Sequence, residues 1–117
     1  MADESRTTPQ PAHIHAPLLH VYAQPVWHED AFIVGNRAAL EDLRRAINTA
    51  LSTGSGTASA FVSDGEGYDC NIQVDDTPWE GGTWPKRAVP YTDEPARETH
   101  SDAVWPGPDR SAIGGLR

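Results

Sequence analysis

Between residues 36 and 54 the chain carries a pattern that a helix satisfies and a strand does not. Leu40, Leu43, Ile47 and Leu51 recur three or four residues apart, with Ala46 and Ala50 flanking the same stripe. A 3.6-residue period gathers such positions on one face. Asn36 stands where an N-cap belongs, its side-chain oxygen able to accept a backbone N–H that has no partner inside the helix. Gly54 follows the last periodic residue and can take the left-handed backbone of a C-cap. Glu41 and Arg45 are four apart in the favourable order on the solvent side. The pattern predicts a helix from about Arg37 to Thr53, with the leucines and Ile47 as its buried stripe.

A single amphipathic helix must cover something, and the flanking segments supply strands. Leu19, Val21 and Ala23 alternate with His20, Tyr22 and Gln24 until Pro25, the period of a strand with one buried face. Ala31-Phe32-Ile33-Val34 is short, apolar and closed by Gly35, which reads as a second strand. Val26 to Asp30 is then a hairpin connection or an irregular continuation of the edge. Downstream, Thr57 to Val62 and Tyr68 to Val74 flank Asp64-Gly65-Glu66-Gly67, whose glycines permit the positive φ angles of a tight turn. Tyr68, Cys70, Ile72 and Val74 share one face of the last strand. The expected fold class is α+β, in the order strand, strand, helix, strand, strand. Its small antiparallel sheet packs with the apolar face under the one helix.

The expected organisation is a flexible leader over 1–17, a core over 18–76, a Pro/Trp-rich extended arm over 77–108 and a flexible tail over 109–117. In the arm Trp79, Trp84, Tyr91 and Trp105 are spaced among prolines. Disordered segments seldom carry so many large rings, so the arm is expected to lie on the core or on a partner. Arg87-Ala88-Val89, ending at Pro90, can add an edge strand. With 117 residues there is room for one domain. A domain of this size is marginal alone, and association with a copy or a partner would help it.

Charge narrows the partners. Nine basic residues stand against seventeen acidic ones, a net charge of −8, which repels phosphate backbones. Nucleic acid is therefore not an expected direct partner. No run approaches the roughly 20 apolar residues of a membrane span, and the lone Cys70 fits a reducing compartment. The expected location is the cytoplasm.

No catalytic residue, metal ligand or cofactor is assigned. His13, His15, His20, His28 and His100 form no metal-binding motif. Asp64, Glu66 and Asp69 bunch at the turn, with Asp75 and Asp76 at the far end of the strand, but they do not follow the calcium-loop spacing. Cys70 falls on the apolar face, where a thiol behaves as a small hydrophobe. The tryptophans are more informative. Trp27, Trp79, Trp84 and Trp105 are accompanied by Tyr91 and by acidic neighbours that include Glu29, Asp30 and Glu80. Large rings dominate the binding energy of protein interfaces. Trp27, Glu29, Asp30, Trp79, Glu80, Trp84, Tyr91 and Trp105 are the candidate partner-binding residues.

Phe32-Ile33-Val34-Gly35-Asn36-Arg37, running into Leu40, Leu43 and Ile47, and then Asp64-Gly65-Glu66-Gly67, resemble small uncharacterised proteins of bacteria and their phages. Among named groups this stretch is similar to immunity-protein families of polymorphic toxin systems, in which a strand leads through Gly into such a helix. The likeness covers about residues 18–76 and carries over no functional position. It implies a non-enzymatic protein that blocks a toxin or defence effector, including an inhibitor of host defence. A basic protein partner is expected, and a homo-oligomer is compatible with the sequence. The alternatives are an oligomeric small-molecule or nucleotide-binding protein using Arg37, Arg44 and Arg45, and a small metal-dependent enzyme using His20 and His28.

Overall fold

The computed structural model describes residues 16–97 and 102–107. The expectations for His13, His15 and His100, for the tail and for all but the end of the leader lie outside the described residues. The architecture is α+β. Strands β1 (Leu19–Tyr22) and β2 (Phe32–Gly35) precede helix α1 (Arg37–Thr53), and β3 (Ser55–Phe61) and β4 (Gly67–Gln73) follow it.

Helix α1 begins and ends as its flanking residues dictate. Asn36 is extended, and its Oδ1 accepts the Ala39 N–H at 3.0 Å. Gly54 takes φ +105° and donates its N–H to the Ala50 carbonyl at 2.7 Å. The turn between β3 and β4 closes through Gly65 at φ +93°. There the Val62 N–H reaches the Glu66 carbonyl at 2.9 Å, and Asp64 Oδ1 accepts the Glu66 N–H at 3.0 Å.

The strands form two antiparallel pairs where a single sheet was expected. β1 pairs with β2 from Leu19↔Gly35 to Tyr22↔Phe32, so Val26 to Asp30 is a hairpin connection. β3 pairs with β4 from Ser55↔Gln73 to Phe61↔Gly67. The two ladders meet at one parallel bridge, Leu18↔Phe61, where the Phe61 N–H donates to the Pro17 carbonyl at 2.8 Å. Beyond it β1 runs on past the end of β3, and His20 Nε2 accepts the Ser63 N–H at 3.0 Å. The first hairpin therefore projects away from the second.

That geometry corrects two expectations. Leu19 is fully buried, but Val21, two residues on along the same face, is half exposed. The helix is also rotated from its expected setting. Its buried positions are Ala39, Leu43, Ala46 and Ala50, while Leu40, Ile47 and Leu51 stand on the flank, Leu51 at 71% exposed. The cause is small residues on both sides of the contact. Gly56, Ala58 and Ala60 on β3 meet the helix alanines, and a Cβ built on Gly56 would lie 2.1 Å from the Ala46 carbonyl oxygen. Where Ala46 and Ala50 meet Gly56 the layers are too close to admit a larger side chain. Among the described residues five of the seven buried apolar side chains are alanines, and Tyr68, Cys70 and Ile72 on β4 pack against the core.

The arm is tied back to the core. Thr92 and Asp93 donate their N–H groups to the carbonyls of Gln24 and Pro25 at 3.2 and 3.0 Å. Gly107 donates to Gln73 Oε1 at 3.1 Å. Two single 3-10 turns, Trp84–Lys86 and Glu94–Ala96, carry Pro85 and Pro95 in their first positions, where a missing N–H costs nothing. Arg87 does not extend the sheet as an edge strand. It bridges in parallel to Val104, with the Ala88 N–H on the Val104 carbonyl at 2.8 Å and the Val104 N–H on Lys86 at 2.7 Å. None of the helices among the described residues is long and apolar enough to cross a membrane.

Candidate functional site

The eight candidate residues fall into two groups joined by the arm. Trp27, Glu29 and Asp30 occupy the turn of the first hairpin, all exposed. This turn is tight: the Glu29 N–H donates to the Val26 carbonyl at 3.2 Å, and His28 sits at φ +70° with its ring 5.6 Å from the Trp27 ring. A left-handed non-glycine residue is a costly conformation, and Trp27 beside it is 64% exposed. Tyr91 joins this group through the chain, because its neighbour Thr92 is bonded to Gln24. Between the hairpin strands and the turn lies an open cleft of about 620 Å³ edged by Tyr22, Phe32, His28, Glu29 and Asp30.

Trp79, Glu80, Trp84 and Trp105 form the second group: Trp105 follows Val104, which bridges to Arg87, and the other three lie on the segment whose Thr77, Thr83 and Arg87 gather on Asp75. This carboxylate is 8% exposed and collects its donors from the first half of the arm. Its Oδ1 accepts from Thr77 N–H at 3.1 Å and Thr77 Oγ1 at 2.7 Å. Its Oδ2 accepts from the Thr83 hydroxyl and from Arg87 Nε at 2.9 Å, with Arg87 Nη2 at 2.7 Å. The Asp75 carbonyl in turn accepts the Trp84 Nε1–H at 3.1 Å, and the Arg87 guanidinium lies 5.3 Å from the Trp84 ring centroid. Trp84 is thereby oriented from both sides. Trp79 makes no hydrogen bond or ring contact among the described residues and is 65% exposed. From Arg87 to Thr92 is five residues, so the two groups are anchored within about 18 Å of each other.

The Asp75 clamp was not singled out in the sequence, where this residue counted only as one of several strand-end carboxylates. Its local signal is Asp75-Asp76-Thr77, an Asx-turn spacing in which the side chain bonds the backbone two residues on. The hydrogen bonds from Thr83 and Thr77, then the one from Arg87, hold the Asp75 carboxyl well below the ordinary carboxylate range. An unfolded aspartate titrates near 3.9, so below that pH the unfolded chain binds a proton that the folded chain refuses. The clamp's contribution is therefore complete at neutral pH and disappears progressively as pH falls below about 4. Acid titration followed by tryptophan fluorescence should show the arm loosening over that window. In Asp75→Asn that acid-linked step should vanish; a step of unchanged size would remove the clamp from the account.

Several other chemistry-bearing side chains have structural roles. His20 accepts the Ser63 N–H at Nε2, which leaves Nδ1 to carry the proton and donate to the Tyr22 hydroxyl at 2.6 Å. Burial pushes the Cys70 thiol up, and Tyr68 is raised by burial and then by Cys70. A thiol so shifted is a poor nucleophile. Arg44 and Arg45 pair with Glu41 and Asp42, three residues back, and not in the Glu41–Arg45 spacing noted in the sequence. Among the described residues no three His, Cys, Asp or Glu side chains are grouped to hold a metal ion. Comparison with known proteins gives no significant match to a family model, a curated protein or a solved structure.

Proposed function

We propose that this chain is a non-enzymatic binding protein that blocks a basic protein partner, as an immunity protein does its toxin or an anti-defence protein its effector. The observation that carries the reading is the exposure of Trp27 and Trp79, each beside carboxylates, on a protein whose own core is filled by alanines. Water is a costly place for an indole, and rings so placed gain most from burial against another surface. Glu29 and Asp30 beside Trp27, and Glu80 beside Trp79, supply the charge that steers a cationic surface into contact. The mechanism is occlusion: acidic groups raise the rate of encounter, rings slow dissociation, and no bond is made or broken. The resemblance of residues 18–76 to immunity proteins supports placing that partner in a bacterial or phage conflict system.

The test pairs the tagged chain with Trp27→Ala/Trp79→Ala in extracts of bacteria, followed by assay of any captured activity. The expected result is a basic protein held by the unmodified chain at low salt, its activity inhibited, and its affinity reduced at least about 30-fold by the double substitution. Equal capture by both forms, or capture without inhibition, would contradict the proposal.

A further inference from the structure

The outer edge of β2 has an orientation that can be derived. The Asn36 N–H donates to the Leu18 carbonyl at 3.0 Å and the Leu18 N–H returns to Asn36 Oδ1 at 3.2 Å, so the backbone groups of 18 and 36 face each other as in a hydrogen-bonded pair of the antiparallel ladder. Such pairs alternate, so His20–Val34 and Tyr22–Phe32 are the next two. The N–H and C=O of Ile33 and of Gly35 therefore point away from β1. No strand pairs with that side among the described residues. Single-chain proteins guard such edges with lysine, proline or other charge. β2 reads Phe-Ile-Val-Gly and carries none of these.

We infer that β2 pairs antiparallel with β2 of a second copy of this chain, across a two-fold axis through Ile33. An antiparallel strand is complementary to itself, as an isologous contact requires. Only residues with outward backbone groups can form hydrogen-bonded pairs, and centring on Ile33 uses the most of them. Phe32 then faces the second copy's Val34, an aromatic and β-branched pairing of the favourable kind. The same register brings Glu29 to the level of the second copy's Arg37, twice by symmetry. Glu29 and Arg37 are both exposed and have no ion-pair partner among the described residues. The cleft beside β2 carries Glu29 and Asp30, while the groove beyond its other end carries Arg37, with Arg44 already paired to Glu41, so one unpaired cation faces the acidic cleft.

The area is sufficient. Val21, Tyr22, Phe32, Ile33, Val34 and Leu40 are each 43–58% exposed. Wholly covered, they offer on the order of 500 Å² per copy, Val21 and Tyr22 on β1 included, and two copies bring about 1,000 Å², the lower bound of a specific interface. The second copy also accounts for the flank position of Leu40, beside Gly35 and next to the strand that would be paired. Apart from Glu29 and Asp30, this surface is separate from the residues assigned above to a heterologous partner.

Sedimentation equilibrium of the full chain over a concentration series reads the mass directly. The expected result is twice 12.7 kDa at the upper end of the series, with Ile33→Glu monomeric throughout. Ile33 is 56% exposed, so this substitution leaves the fold intact, which circular dichroism checks. Arg37→Glu should weaken association roughly tenfold through two repelling pairs, and Glu29→Arg with Arg37→Glu should restore it. Amide exchange gives a second measure: the Ile33 N–H should gain protection as the concentration of the unmodified chain rises. A monomer at every concentration, or a dimer indifferent to Ile33→Glu, would overturn the inference.

Discussion

Gly56→Ala is expected to destabilise the chain by about 3 kcal/mol, at the upper end of what overpacking costs. The added methyl would sit 2.1 Å from the Ala46 carbonyl oxygen, 3.0 Å from its carbonyl carbon and 3.2 Å from the Ala50 nitrogen. All three are helix backbone, which cannot swing aside as a side chain can. Helix α1 must lift off β3, and its contacts through Ala46, Ala50, Ala58 and Ala60 loosen together. Against a total stability of roughly 5–10 kcal/mol, the loss removes roughly 30–60%. Urea denaturation measures it directly. Ser59→Ala, on the outer face of β3, is the control and should shift the midpoint little. A change below about 1 kcal/mol at position 56 would mean that helix and strand are not seated so closely.

Asn36→Ala is expected to cost about 2–4 kcal/mol, more than an ordinary helix cap. Its Oδ1 accepts two backbone N–H groups, from Ala39 at 3.0 Å and from Leu18 at 3.2 Å, and its Nδ2 donates to the Ala16 carbonyl at 2.8 Å. One amide thus starts the helix and fastens the entry into β1 to it. The first turn of α1 has no acidic residue and the last no basic one, so the dipole receives no other help at the ends. Asn36→Asp separates these roles. It keeps both acceptor bonds and favours the helix N-terminus, but it loses the donor to Ala16. Thermal unfolding should rank the unmodified chain first, Asn36→Asp between, and Asn36→Ala lowest. If Asp and Ala fall together, the bond to Ala16 is what holds the junction.

The elements were legible because each carries its own local chemistry. Asn36 and Gly54 bound the helix as their side chain and backbone freedom require, and Gly65 marks the second turn. Which face of the helix is buried was not legible. Leu40, Ile47 and Leu51 outweigh alanine on any hydrophobic scale, yet the face is chosen by how closely β3 approaches, and that is a property of Gly56, Ala58 and Ala60 in another element. The alternation of Leu19 and Val21 misled for a related reason. Burial depends on where β1 parts from β3, and the period of a strand says nothing of where its neighbour ends. In the candidate site, Trp27, Glu29, Asp30 and Trp79 were singled out by residue type. The clamp was not, because Asp75 draws Thr77, Thr83 and Arg87 together across a segment with no periodicity.

A core in which alanines outnumber the two leucines, Leu19 and Leu43, has a thermal consequence. Methyl groups in contact release little ordered water, so unfolding exposes little hydrocarbon for its length, and the heat-capacity step falls below the usual 12–15 cal/mol/K per residue. A small step flattens the dependence of free energy on temperature. Such a chain resists cold nearly as well as warmth.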